Sequence, residues 1–155
     1  MERLRLKVRF VASAALLGVI GLVVIAGCGG GSSTAASSSF VSGAEGACTK
    51  ANKEIVALGT PQQEQVLEYL ESTEDIIAEL HGEMESLRPS GSAEKAYTQA
   101  LGESVIVLNH MANAARNENF DAVREISDEL IEFKVGELAE AANLKSCAEV
   151  PEANS

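Results

Sequence analysis

Two histidines are the first candidates for metal binding in this sequence. His81 lies in "AELHGEMESL", one helical turn before Glu85, and His110 lies in "VLNHMANAAR". A di-iron site in a helical bundle needs a Glu-x-x-His pair on each of two helices, but positions 78 and 107 are Ala and Val. We therefore predict that neither histidine is a metal ligand, and we expect both side chains on the surface.

A row of carboxylates follows one face of a segment with helical spacing. Its members are three or four residues apart, and like charges at this spacing cost about 0.2 to 0.5 kcal/mol per pair in an isolated helix. Two interpretations remain open: a face in contact with solvent, or a weak site for a divalent cation or a cationic envelope partner. We name this row the acidic ridge, and it comprises Glu64, Glu68, Glu71, Asp75 and Glu79.

The sequence lacks the usual arrangements of catalytic residues and cofactor ligands. It contains no CxxC and no CxxCH, which argues against a redox thiol pair and a covalently attached haem. Met84 and Met111 could act as axial haem ligands with a histidine, but Met84 also fits an apolar core position. We predict a protein that is not an enzyme and has no cofactor, with a small metal-handling or haem-binding bundle as the alternative.

The first 27 residues have the pattern of an export signal. Four cationic residues lie in "MERLRLKVRF", and an uncharged run from Phe10 to Gly27 follows. The end of this run, "VIAGC", resembles the bacterial lipobox: an aliphatic residue, two small residues and then Cys28. The resemblance implies that Cys28 receives a thioether-linked diacylglycerol and that the chain is cut after Gly27. Residues 1–27 are then a lipoprotein signal peptide.

An uncleaved membrane helix is the alternative for this segment, since 18 apolar residues can just span a bilayer. Both interpretations export the rest of the chain to the extracytoplasmic face of the cell membrane. Two or three acyl chains would anchor it stably, at about 0.8 kcal/mol per buried methylene. Residues 28–43 contain the lipidated cysteine and an uncharged Gly/Ser-rich segment, which we interpret as a flexible tether.

Cleavage would make the protein strongly acidic. It would leave 8 Lys and Arg against 22 Asp and Glu, a net charge of −14. Phosphate backbones and anionic headgroups repel such a domain, so we expect no nucleic-acid partner and a membrane contact through the lipid alone. Cationic envelope partners and divalent cations are compatible with this charge.

From Ala44 onward, apolar residues recur at spacings of three and four, which predicts helices. "GTP", "RPSGS" and "NEN" separate them, and such short connections make neighbouring helices antiparallel. We predict an all-α, up-down-up-down four-helix bundle over residues 44–148 with a short first helix, followed by a tail at 149–155. The predicted helices cover residues 44–58, 61–87, 93–117 and 120–141.

This topology places two cysteines at the same end of the bundle. Cys48 lies near the start of the first predicted helix and Cys147 follows the fourth. Outside the cytoplasm two such thiols form a disulfide, whereas the alternative is two unpaired buried cysteines. In the chain-entropy model, a bridge that closes a loop of about 100 residues stabilises the folded state by at most about 4.7 kcal/mol. The turns "GTP" and "NEN" would then lie at the end of the bundle away from the tether.

Several short motifs together resemble a group of small secreted or lipid-anchored helical proteins of actinobacteria. The motifs are the export signal, the Ser/Gly tether, "CTKAN", an "LRP" break and the closing "LKSC". Many of those proteins have a Gly-Leu step before the last cysteine, where this chain has Asn143 and Leu144. The resemblance supports the helical fold and the bridge and implies no activity. We expect a membrane-anchored binding or envelope interaction module, with a structural spacer as a further alternative.

Overall fold

The computed structural model describes residues 38–149, and every regular element in that range is helical. The prediction of an all-α domain is therefore confirmed. None of the described helices is long and apolar enough to cross a membrane. The predicted signal peptide, Cys28, the tether up to residue 37 and the tail from residue 150 lie outside the described residues. The helices are α1 Ser38–Leu58, α2 Val66–Ser86, α3 Ser92–Arg116, α4 Phe120–Glu132, α5 Val135–Ala141 and α6 Lys145–Ala148, with a 3-10 turn at Gln63–Gln65.

The first three helices pack side by side in alternating directions. Near the start of α1, a Cβ atom on Gly43 would lie 2.6 Å from Cδ2 of Leu87 at the end of α2, so the two helices approach closely at these positions. Further along α1, Lys50 pairs with Glu79, which is earlier in α2. Between α2 and α3, Arg116 at the end of α3 pairs with a residue in the first half of α2. Each pair of neighbours is therefore antiparallel.

The first helix is longer than the sequence predicts. It begins at Ser38, six residues before Ala44, and its 21 residues equal the length of α2. The prediction of a short first helix was wrong, and residues 38–43 belong to the folded domain and not to the tether. Serine and glycine are poor helix formers, but Phe40 is only 1% exposed, and its burial stabilises this first turn.

The predicted fourth helix, residues 120–141, is divided into two pieces, α4 and α5, at Lys134, whose φ of 48° is left-handed. A second left-handed residue, Asn143 with a φ of 59°, follows α5 and separates it from α6. A left-handed residue interrupts the helical hydrogen bonds, so the chain changes direction twice. Ala141, predicted to face inward, is exposed, whereas Ala142 and Leu144 are fully buried. As a result α4 packs on α3, α5 packs on α3, and α6 reaches α1.

Two apolar clusters fill the interior. The first, which we name the disulfide cluster, joins α1, the end of α2, the start of α3, and the α5–α6 segment. The second, which we name the distal cluster, joins the start of α2, the end of α3, and α4. The buried members of the disulfide cluster are Phe40, Ala44, Ala47, Cys48, Ala51, Leu80, Met84, Tyr97, Leu101, Ala139, Ala142 and Leu144. Those of the distal cluster are Leu70, Val107, Leu108, Met111, Ala112 and Ala115.

Candidate functional site

A disulfide joins Cys48 to Cys147, as the sequence analysis predicts. The Sγ atoms are 2.00 Å apart and the Cα atoms 5.0 Å apart. Because α1 begins at Ser38, Cys48 lies in the middle of the helix and not near its start. The hydroxyl of Tyr97 donates a hydrogen bond of 3.4 Å to Cys48 Sγ, and burial raises the pKa of Tyr97, which keeps this donor protonated.

A carboxylate on α1 holds the start of the last helix. Glu45 accepts hydrogen bonds from the backbone N–H of Lys145, at 2.5 Å, and of Ser146, at 2.9 Å. These two N–H groups have no partner within α6, so Glu45 caps that helix from a distance of 100 residues along the chain. A hydrogen bond from the Ser146 side chain is the main cause that lowers the pKa of Glu45, and the backbone N–H groups add to it.

One further α1 side chain completes this attachment. Asn52 donates hydrogen bonds to the carbonyl oxygens of Ser146, at 2.7 Å, and Glu149, at 3.4 Å. Glu45, Cys48 and Asn52 are three and four residues apart, so they share one face of α1. We name Glu45, Cys48, Asn52 and Cys147 the C-terminal clamp.

The clamp explains two of the short motifs of the sequence, "CTKAN" and "LKSC". "CTKAN" contributes the cysteine and the asparagine, and "LKSC" contributes the backbone they hold and the second cysteine. The residue before this segment, Asn143, has a φ of 59°, and asparagine is the residue that tolerates this conformation best after glycine.

The acidic ridge is partly neutralised by the protein itself. Lys50 of α1 pairs with Glu79 at 2.5 Å, and Arg116 of α3 pairs with Glu71 at 2.6 Å. The hydrogen bond to Glu79 raises the pKa of Lys50. Within residues 38–149, no three His, Cys, Asp or Glu side chains lie close enough together to hold a metal ion. Two ridge residues, Glu71 and Glu79, are thus paired, whereas Glu64, Glu68 and Asp75 form no ion pair with any residue from 38 to 149.

The histidines and methionines do not form a common site. His110 is exposed, as predicted, but His81 is half-buried against Gly102 of α3, with its Nε2 atom 3.9 Å from a carboxylate oxygen of Glu85. A Cβ at position 102 would lie 3.0 Å from that ring, which explains why His81 can approach α3 so closely. The two methionines, Met84 and Met111, are buried in different clusters.

A cleft of about 500 Å³ opens beside the distal cluster. Ala115 is buried and Leu67 and Phe120 are half-buried, so they form its apolar interior. The remaining lining residues are exposed and form its rim. The rim consists of Gln63, Glu64, Arg116 and Glu118. Of the predicted site residues, only Glu64 belongs to it, because the cleft depends on how α4 meets the start of α2, which the apolar spacing does not reveal.

Comparisons with known proteins give no counterpart for this arrangement. No family model, no curated protein and no solved structure matches the chain.

Proposed function

We propose that this chain is a lipid-anchored, extracytoplasmic binding module that presents a cleft to a partner in the cell envelope. In this proposal Cys28 carries the lipid, and the helices form an up-down-up-down bundle in which α4 and α5 share the fourth position. The observation that carries the proposal is the location of the distal cleft. Its lining comes from the turn before α2 and the first residues of α2, and from the end of α3, the connection that follows it and the start of α4.

The cleft lies far from the side on which the tether joins the domain. The tether leads into Ser38, and α1 runs for 21 residues, or about 30 Å, before the chain turns into α2. Because α1 and α2 are antiparallel, the start of α2 is at the opposite end from Ser38. An anchored domain that projects along α1 would hold the cleft away from the bilayer, where a partner could reach it.

The lining favours binding over catalysis. It consists of three apolar side chains, two carboxylates, one amide and the guanidinium of Arg116. The guanidinium already binds Glu71 and Asn113, at 2.6 and 2.5 Å. These seven residues include no hydroxyl, thiol or imidazole, and the two carboxylates, which are the only candidates among them for a general base, are exposed on the rim. A site of this composition can recognise a ligand by shape and charge.

Two measurements on the expressed protein test this proposal. Labelled palmitate should be incorporated into the wild type and not into a Cys28→Ser variant, and the variant should leave the membrane fraction. Benzoylphenylalanine at Gln63 on the rim should give a crosslinked product of defined mass in intact cells, whereas the same group at Ser86, at the other end of α2, should not.

Either of two results would contradict the proposal. A Cys28→Ser protein that keeps its label and its membrane attachment would exclude the lipid anchor. Equal crosslinking from Gln63 and Ser86, or none from Gln63, would remove the distal cleft as the binding surface and leave the structural spacer as the better interpretation.

A further inference from the structure

The rim of the distal cleft carries an uncompensated negative charge. Glu64 and Glu118 are exposed and form no ion pair with any residue from 38 to 149. The one cation in the lining, Arg116, is already bound to Glu71 and Asn113. A ligand that enters the cleft therefore meets two carboxylates and no available positive charge from the lining.

The interior of the cleft favours an apolar group. Leu67 and Phe120 are half-buried, so part of their apolar surface is in contact with water. An apolar side chain placed between them removes this surface from water, which is favourable. A volume of about 500 Å³ lies within the range of about 300 to 1,000 Å³ that is typical of ligand sites.

The two carboxylates come from different elements, which constrains the ligand further. Glu64 lies in the 3-10 turn before α2, and Glu118 lies in the connection between α3 and α4. A monoamine has one positive charge and can neutralise only one of them, and a linear diamine has no branched or aromatic group to fill the apolar interior. A peptide segment can place an apolar side chain in the interior and a lysine or arginine on each side.

We infer that the distal cleft binds a short peptide segment of a partner protein in which cationic residues flank apolar ones. This inference rests on the proposed function and names the chemical class of its ligand. After residue 27 the protein is strongly acidic, with 8 Lys and Arg against 22 Asp and Glu. This negative charge increases the rate at which the protein encounters a cationic segment.

The test uses the full protein, purified from membranes into nanodiscs of zwitterionic lipid. Three blocked tetrapeptides serve as probes: Lys-Leu-Leu-Lys, the acidic control Glu-Leu-Leu-Glu, and Lys-Ser-Ser-Lys, which keeps the charge without the apolar pair. We expect the first to bind, with affinity that falls as salt increases, and the other two to bind at least about tenfold more weakly. Empty nanodiscs provide the background.

Matched variants assign the binding to the cleft. Glu64→Gln with Glu118→Gln should weaken Lys-Leu-Leu-Lys binding about fivefold, since each exposed ion pair contributes modestly. Glu125→Gln with Glu129→Gln removes the same charge from exposed positions of α4 and should change the affinity less than about twofold. Phe120→Ala should also weaken binding, and its circular dichroism spectrum checks that the fold is retained.

Three results would overturn the inference. Equal binding of the acidic peptide would exclude charge recognition, and equal effects of the two double variants would place binding outside the cleft. Self-association of the free protein that Phe120→Ala abolishes would assign the cleft to a second copy of the chain. If Cys28 is lipidated and Gln63 crosslinks while Lys-Leu-Leu-Lys does not bind, the proposed function stands and this inference fails.

Discussion

The two apolar clusters are built on the same pair of helices but are closed in different ways. In the disulfide cluster, α1, α5 and α6 cover the end of α2 and the start of α3, and twelve residues are buried. In the distal cluster only α4 covers the other ends of α2 and α3, and α4 has no buried residue of its own. The comparison shows that a covalent bridge and complete burial hold one end, while the incompletely covered end contains the cleft.

The apolar face of α1 shows the same difference within one helix. Cys48 and Ala51 are buried, yet Leu58, two turns later on the same face, is 36% exposed. Burial along α1 therefore decreases from the disulfide cluster toward the distal end. Regions with few buried apolar contacts open more readily, so we expect the distal half to exchange its amide hydrogens faster.

The largest difference should come from truncating one phenylalanine in each half. Phe40 is fully buried, so Phe40→Ala should lower the free energy of unfolding by about 4 kcal/mol. Phe133 is half-buried beside the distal cluster, and Phe133→Ala should cost about half as much. Urea denaturation of both variants measures the two losses. Equal losses would show that the two halves do not differ in packing.

Removing the bridge should have the next largest effect. Cys48→Ala with Cys147→Ala should lower the free energy of unfolding by about 3 kcal/mol, because the unfolded chain regains the freedom that a closure over 99 residues removes. Hydrogen exchange should accelerate most in α5 and α6, which the clamp attaches to α1. Uniform acceleration across α2, α3 and α4 would mean that the bridge stabilises the whole domain evenly.

The carboxylate of the clamp should contribute less, in a manner that depends on pH. Glu45→Gln should cost about 1 kcal/mol near neutral pH, since it removes a charged cap from α6. The hydrogen bonds lower the pKa of Glu45 in the folded state, so its contribution is complete above the ordinary value of 4.5 and is lost as the pH falls through the lowered pKa. The free energy of unfolding of the wild type and of the Glu45→Gln variant, measured from pH 7 to pH 3, tests this pH dependence. A constant difference would contradict the assigned role.

The smallest effect concerns the joint between the halves. Lys134 separates α4 from α5 and has a φ of 48°, which glycine adopts without strain. Lys134→Gly should therefore stabilise the protein by about 0.5 kcal/mol, after the greater entropy of unfolded glycine is subtracted. Asn143→Gly should change the stability by less than about 0.3 kcal/mol, because asparagine already tolerates this conformation. Thermal melts of both variants measure the two changes in stability. A larger gain in stability from Asn143→Gly than from Lys134→Gly would contradict this explanation.

The sequence predicts a helix well where the apolar periodicity continues over many residues. The pattern through Leu70, Leu80 and Met84 predicted α2 well, and the cysteine pair was predicted from the expected antiparallel order. The early start of α1 was missed because serine and glycine have low helix propensity, and only the burial of Phe40 compensates. The break at Lys134 was missed because neither proline nor glycine marks it.

The clamp and the cleft show why site prediction went less far. Glu45 and Asn52 are ordinary polar residues of a helix, and their role depends on a segment about 100 residues away. The rim of the cleft likewise depends on the angle at which α4 leaves α3. The spacing of residues along the sequence reveals neither the distant partner of the clamp nor the angle between α3 and α4. Glu64 was predicted as a site residue only because it belongs to the acidic ridge.

The bridge also makes residues 48 to 147 a closed covalent ring. If a protease cuts one peptide bond in any connection within this ring, the two fragments stay joined through sulfur. After a cut between α1 and α2, the fragment that carries the whole cleft would remain joined to the fragment that carries the amino terminus. Such a nicked protein would separate into two bands in gel electrophoresis only after reduction.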